Sequence, residues 1–359
     1  MALHSYYDAH NSLPKVGQCT AGNGTTRIYS YSGLSIFCTI LPFMEHANIY
    51  DLYNKGDSSS KLAPGGSVAY AVSNSVLTHT LDLPCNGEEL PAWQCPSEKN
   101  RFYPGYYNSR MTGRSYMICS GDWPEGLQTY FIVGGDSAFR GSSTEKATGG
   151  PNRRTAFGLV RCKNLADIHD GTSNTIAVGE VTRGTSDKNF SDTHSTVDHT
   201  TDVRAVRETL LMGPFSTYAD NSHWLNKQRS PDGHDVTKAC LNPAHRTGNA
   251  KEWDASCTVW ANRGGVYAFS ALPDYTTFQT MLPPNTPACE CSNRRLTPLS
   301  SYHSGGGNVC MFDGSVRFIS DTINTASTSI AKVVVSTGPS GYGVWGALGS
   351  INGGEVPAL

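Results

Sequence analysis

His303 and Asp313, separated by nine residues in "SYHSGGGNVCMFDGSVRFIS" (residues 301–320), are of types that could share chemistry. Together they would make a general base, the carboxylate orienting the imidazole while the imidazole takes a proton. The intervening pattern argues against that pairing. Two short apolar runs flank Asp313-Gly314, and an Asp-Gly loop readily takes the positive φ values of a two-residue type I′ hairpin. In that register Phe312 faces Ser315, Met311 faces Val316, Cys310 faces Arg317 and Val309 faces Phe318. Met311, Val316, Val309 and Phe318 would then form one apolar face. Asn308 to Asp313 spans about 17 Å at roughly 3.4 Å per residue, which sets Asp313 at the tip and His303 beyond the far end. Gly305 to Gly307 would let the chain turn tightly into the strand, with His303 hydrogen-bonding a neighbouring backbone group.

The sequence contains no G-x-S-x-G, H-E-x-x-H or P-loop pattern, so it is read as non-catalytic. Three other groups could hold a ligand. Trp93, Tyr103, Tyr106, Tyr107, Trp123, Trp224, Trp253 and Trp260 fall in segments that read as exposed loops. Flat aromatic faces stack on the C–H surface of sugar rings, and nearby Asp, Asn and Arg can fix hydroxyls. Such a platform needs two rings on one exposed plane, and packing within the loops is the competing reading for each ring. His194, His199, His223, His234 and His245 form a second group. His194 and His199 lie five apart in a Ser/Thr/Asp-rich loop, without tight ligand spacing, which favours solvated histidines. In "DGTSNT", Asp170, Ser173 and Asn174 could coordinate an ion or a hydroxyl, but such residues more often bond their own turn. Glu180, closing "IAVGE", is expected to be half-buried and paired with an arginine.

The elements that would position these residues are short. Charged residues make up 16% of the 359-residue chain and its net charge is -2, so no basic field exists to hold nucleic acid or an anionic membrane. The 37 glycines, 19 prolines and 17 tyrosines suit many short strands joined by long surface loops. Eleven scattered cysteines without a C-x-x-C pair read as oxidised, non-metal residues. Cys85 and Cys95 could close a Pro-rich loop, Cys289 and Cys291 are too near to be assumed mutual partners, and an odd count leaves one thiol over. No apolar run approaches the length of a bilayer span, and no signal peptide is present.

"MALHSYYDAHNSLP" opens on a helical pattern with Leu3, Tyr6, Tyr7 and His10 on one face and no N-cap, like the tail of a longer helix. A second helical region carries Ile36, Ile40, Met44, Ile49 and Leu52 and breaks at Pro42, packing on the first. Residues 57–161 read as loops and short strands. "KNLADIHDGTSNTIAVGEVTR" reads as a short helix or turn, a reversal at Asp170-Gly171 and a buried strand through Ile176 and Val178. Residues 184–260 look like an insertion decorating a sheet. A helix is expected from about Thr322 to Ser336, before a Gly-rich end. Without a fixed repeat or a sharp composition break, residues 1–359 read as a single domain with excursions.

His303 and Asp313-Gly314 in "HSGGGNVCMFDGSVRFIS" resemble the H-X9-DG signature of the DUF1559 proteins, the bacterial solute-binding type 10 family abundant in Planctomycetes and Lentisphaerae. "ALHSYYDAHNSLP", "ILPFMEHANIYDLYN", "QCPSE", "LADIHDGTSNTIAVGE" and "LPPNTPAC" are similar to other blocks of that family and occur in its order. The resemblance spans nearly the whole chain, with residues 184–260 the least matched.

The resemblance implies an α+β, type IV pilin-like fold, in which an N-terminal helix lies on an antiparallel β-sheet with large loop insertions. It further implies a cell-surface or extracellular head, membrane-anchored through a helix that precedes this sequence. Its partners would be other pilin-like subunits and, through the aromatics, an oligosaccharide or polysaccharide; a purely structural filament subunit is the alternative. A metal-dependent enzyme or metal-stabilised head is the third reading. No cofactor is expected, with calcium left open because some pseudopilins hold it in a C-terminal loop; Asp313 and Asp321 are its candidate ligands.

Overall fold

The computed structural model describes residues 1–14, 35–55, 90–98, 103–104, 110–111, 114–122, 154–157, 163–182, 210–212, 258–260, 276–286, 288–291, 294–326 and 338–355. The helices are α1 (Ala2–His10), α2 (Ile36–Thr39), α3 (Ala47–Lys55) and α4 (Gly343–Gly349). The strands are β1 (Tyr103–Pro104), β2 (Arg110–Met111), β3 (Tyr116–Cys119), β4 (Ile176–Glu180), β5 (Leu210–Met212), β6 (Thr258–Trp260), β7 (Thr277–Phe278), β8 (Ala288–Cys291), β9 (Arg294–Leu296), β10 (Gly306–Met311) and β11 (Val316–Ser320). They form a five-stranded sheet in the order β11-β10-β4-β3-β7, a four-stranded sheet β6-β5-β8-β9 and the pair β1-β2. The chain is thus α+β, but the sheets are mixed rather than purely antiparallel, because β3 runs parallel to β7 and β5 to β8.

The inner strands of the five-stranded sheet are buried on both faces. Alternation along β3 sends Ile118 into one apolar cluster and its neighbours Met117 and Cys119 into another, as the period of two requires. The first cluster collects Leu13, Ile36, Phe37, Leu41, Trp93, Phe157 and Phe312, with Leu3 and Tyr7 of α1 packed against it. The second joins Val309, Met311 and Ile319 to Phe278, Leu299, Trp345 and Leu348. Helices therefore cover both faces, α1 and α2 on one and α4 on the other. At β4 the pairing with β10 steps from Val178 to Ile176 while β10 advances by one residue. Ala177 is the extra residue of this β-bulge, and it joins Val178 against the first cluster.

The N-terminal helix forms, but the four residues expected on one face divide between two sides. Leu3 and Tyr7 pack inward, while Tyr6 stacks on His10 at 4.0 Å and both meet the edge of Phe43. The His4 ring nitrogen Nε2 donates to the Phe312 carbonyl at 2.7 Å, fastening α1 to the end of β10. The break at Pro42 also holds, since a 3-10 turn at Leu41–Met44 separates α2 from α3.

Two readings of the C-terminal third are corrected. The helix expected from Thr322 does not start there: residues 321–326 are irregular, Ala326 takes a φ of 60°, and residues 327–336 lie outside the described part. The Gly-rich end instead supplies α4. Its Trp345 is fully buried, donates from Nε1 to the Leu282 carbonyl at 2.8 Å and stacks on Phe278. Gly349 permits that docking, because a Cβ there would lie 2.0 Å from Thr280 Oγ1.

The hairpin exists, but its register is shifted by one from the two-residue turn. Cys310 faces Val316, Val309 faces Arg317 and Asn308 faces Phe318. Gly314 N donates to Met311 O and Met311 N to Ser315 O, closing a three-residue loop with Gly314 at φ 86°. This is the type I turn with a left-handed bulge residue, the other common use of Asp-Gly in hairpins. The physical reason is Phe312, which is buried against Phe157 instead of facing Ser315 across the turn. As a result Val316 and Phe318 are exposed on the edge strand, and Ile319 takes the inward place.

Candidate functional site

The site assembles where β3, β4 and β10 end together. Trp93, buried between Phe37 and Met44, closes a 3-10 turn at Pro91–Trp93, and its carbonyl accepts from Ser115 N at 2.8 Å. That bond ties the segment to β3 and delivers Cys95 beside the sheet. Glu180 is the last residue of β4 and pairs across the strands with Tyr116. Its carboxylate takes the place of a ladder partner, accepting from Asn308 N through Oε2 at 2.8 Å and from Asn308 Nδ2 through Oε1 at 3.1 Å.

His303 arrives on a loop pinned along its length. Ser300 N donates to Glu180 O at 3.1 Å, Ser301 N to Asn285 Oδ1 at 2.7 Å, and His303 N to Ser301 Oγ at 3.1 Å. Asn285, in the left-handed region at φ 60°, also donates to Asp321 Oδ1 and Gly306 O. Every contact in this chain fixes the direction from which the imidazole approaches.

Three donor atoms consequently converge. Cys95 Sγ lies 3.8 Å from Glu180 Oε1 and 3.7 Å from His303 Nε2, and His303 Nε2 lies 3.4 Å from Glu180 Oε1. Cys95 and Glu180 are buried, while the His303 side chain is 36% exposed and forms the open side. Burial, followed by the Glu180 charge, raises the Cys95 pKa despite the bond from Ser97. At neutral pH Cys95 is therefore a protonated thiol rather than the thiolate a cysteine nucleophile requires. Tyr116 is pushed to about 12, mainly by burial and then by Cys95 and Glu180.

Several sequence readings are revised here. The His303 ring faces a thiol and a carboxylate rather than only backbone, and Glu180 is paired with His303, Cys95 and Asn308 rather than with an arginine. Cys95 is a free thiol, as are Cys119 and Cys310, so a Cys85–Cys95 bridge is not formed. Asp313 sits at the opposite end of β10 from His303, where its Oδ1 accepts from Ser315 N at 2.8 Å. Asp321 is at the other end of the hairpin, held by Asn285, so the two candidate calcium ligands do not meet.

The turn reading of "DGTSNT" fits for Asn174, whose Nδ2 donates to Asp170 O. The Asp170 carboxylate instead clasps the C-terminal loop through Gly353 N and Gly354 N, at 2.6 and 2.8 Å. Of the eight aromatics, Trp93 is buried core and unavailable for stacking. Tyr106, Tyr107, Trp123, Trp224 and Trp253 lie outside the described residues, as do His194, His199, His223, His234 and His245; the side chains of Tyr103 and Trp260 also lie outside them.

Cys95, Glu180 and His303 each belong to a block quoted for the resemblance, "QCPSE", "LADIHDGTSNTIAVGE" and "HSGGGN", and the fold brings those blocks together. A family model described as "Protein of unknown function (DUF1559)" matches residues 1–326. The chain belongs to the DUF1559 family. No curated protein and no solved structure matches it. The DUF1559 match therefore covers both strands of the hairpin and all three converging residues, while α4 and its Trp345 lie beyond it.

Proposed function

We propose that this DUF1559 chain is the non-catalytic, surface-displayed head of a pilin-like subunit, whose N-terminal helix serves assembly and whose sheet end presents a recognition site. The observation that carries this reading is α1 itself. It lies against one face of the sheet through Leu3 and Tyr7, and His4 fastens it to the Phe312 carbonyl. A helix seated in this way can transmit position from a fibre axis to the head, because it is hydrogen-bonded to the residue that directly follows the sheet's longest strand. Assembly would bury apolar helices of neighbouring subunits against one another, leaving the heads outward.

The non-catalytic part rests on the separation of His303 from Asp313 along β10. Any glycan platform falls to aromatics other than Trp93. Among the described residues no helix is long and apolar enough to cross a membrane. Sequencing about 40 codons upstream of Ala2 should give a short basic leader, a prepilin peptidase site and about 20 apolar residues. Antibody to the head should then detect it in sheared, high-mass surface fibres. An ordinary cleavable signal peptide, or a head found only as free monomer, would overturn the fibre reading.

A further inference from the structure

The triangle of Cys95, Glu180 and His303 has the dimensions of a metal-ligand set. Zinc binds thiolate at about 2.3 Å, imidazole nitrogen at about 2.0–2.1 Å and carboxylate oxygen at about 2.0–2.2 Å. At tetrahedral angles those bond lengths set neighbouring donors roughly 3.3–3.6 Å apart. The observed separations are 3.8, 3.7 and 3.4 Å, so contraction by a few tenths of an ångström closes the set around one ion. We propose that Cys95, Glu180 and His303 bind a zinc ion, with a fourth coordination position open on the side of His303.

The surroundings fit this assignment. A thiolate, an imidazole and a carboxylate suit zinc, whereas calcium and magnesium take oxygen ligands. The Glu180 carboxylate is already oriented by both nitrogens of Asn308, the outer support that metal-bound carboxylates use. The imidazole comes from a loop held by Asn285 and Ser301, so its Nε2 is aimed before any ion arrives. Ion binding displaces the Cys95 proton to solvent and forms the sulfur–zinc bond, with no change of oxidation state. Three protein ligands with one side reaching solvent leave room for a water or for a donor group of a displayed ligand. This assignment is independent of the fibre reading, and neither test decides the other.

The test uses the full chain, stripped with a chelator and titrated with Zn²⁺ against a chromogenic chelator. One equivalent should bind. His303→Gln should weaken it by more than the roughly 10–100-fold typical of losing an outer-shell partner, while His10→Gln, on the exposed face of α1, should leave it unchanged. Co²⁺ in place of Zn²⁺ should show the visible bands of tetrahedral coordination and a near-ultraviolet thiolate charge-transfer band that Cys95→Ser removes. His303 is partly exposed, so its variant should keep the native near-ultraviolet dichroism even if Cys95→Ser does not fold. Absence of a bound equivalent, or equal affinity in the parent chain and His303→Gln, would overturn the proposal. A charge-transfer band that persists in folded Cys95→Ser would do the same.

Discussion

The two ends of β10 carry the two halves of one sequence signature, and they do different physical work. At one end His303 meets a buried thiol and a buried carboxylate, and the loop that brings it is held through Asn285, Ser300 and Ser301. At the other end Asp313 and Gly314 are exposed, the Asp313 side chain serves its own turn, and its backbone N donates to the Thr172 carbonyl at 3.1 Å. A histidine and an aspartate at fixed spacing need not act on each other, because the intervening strand can be the means of keeping them apart. The difference also predicts asymmetric sensitivity: substitutions at the His303 end disturb buried polar atoms, whereas those at the tip disturb local backbone preference alone.

The largest expected effect is at Glu180. Replacing it with alanine strands the Asn308 peptide N–H and leaves His303 beside a cavity, which should cost about 2–4 kcal/mol. Glu180→Gln keeps one acceptor oxygen and should cost less than half as much. Urea unfolding midpoints of the two variants measure the difference, and equal losses would mean that the carboxylate charge and its second oxygen, rather than side-chain volume or one acceptor, hold this end. Next comes Gly306→Ala, whose Cβ would fall 2.0 Å from the Ile319 carbonyl and 2.8 Å from the Phe318 ring. The hairpin backbone must move to accept it, at about 1–3 kcal/mol. Hydrogen exchange should localise the loss to β10 and β11; an unchanged exchange pattern would refute the close-approach explanation.

Gly314→Ala ranks below both. A Cβ there meets nothing within 4 Å, so only the φ of 86° opposes it, at about 1 kcal/mol. A loss equal to that of Gly306→Ala would remove the contrast between the ends.

These glycines also indicate how far the sequence could be read. Asp-Gly between apolar runs announces a hairpin, but the same dipeptide serves a two-residue and a three-residue loop. The choice depended on Phe312 finding Phe157, a residue more than 150 positions earlier. The amphipathic spacing of Leu3 and Tyr7, and the Pro42 break, were legible because local periodicity and a missing N–H act within a few residues. The candidate site was not, since Cys95 is 85 residues from Glu180 and 208 from His303, and no motif spacing spans such separations. The blocks containing them resemble family blocks, but their convergence is a property of strand order. Helix α4 was missed because Gly343, Gly346 and Gly349 dilute its propensity; they are there for close packing.

The smallest effect, and the finest test of the comparison, is in pH. Hydrogen bonds from the Ser315 side chain and backbone hold the Asp313 carboxyl below its ordinary value. A folded pKa below the unfolded one, near 3.9, gives stability that is present above that value and lost as pH falls through the folded pKa. Asp313→Asn should therefore flatten the acid limb below about pH 4, slightly, because the group is exposed and screened. Tyr116 has the opposite sign: at about 12 its pKa lies above the unfolded value, near 10. Its contribution is intact below that unfolded value and fades as pH rises toward the folded one. Tyr116→Phe should alter only the alkaline limb of melting temperature against pH, and Asp313→Asn only the acid limb. If either variant moves both limbs, strand β10 couples its two ends, and the division of labour between His303 and Asp313 fails.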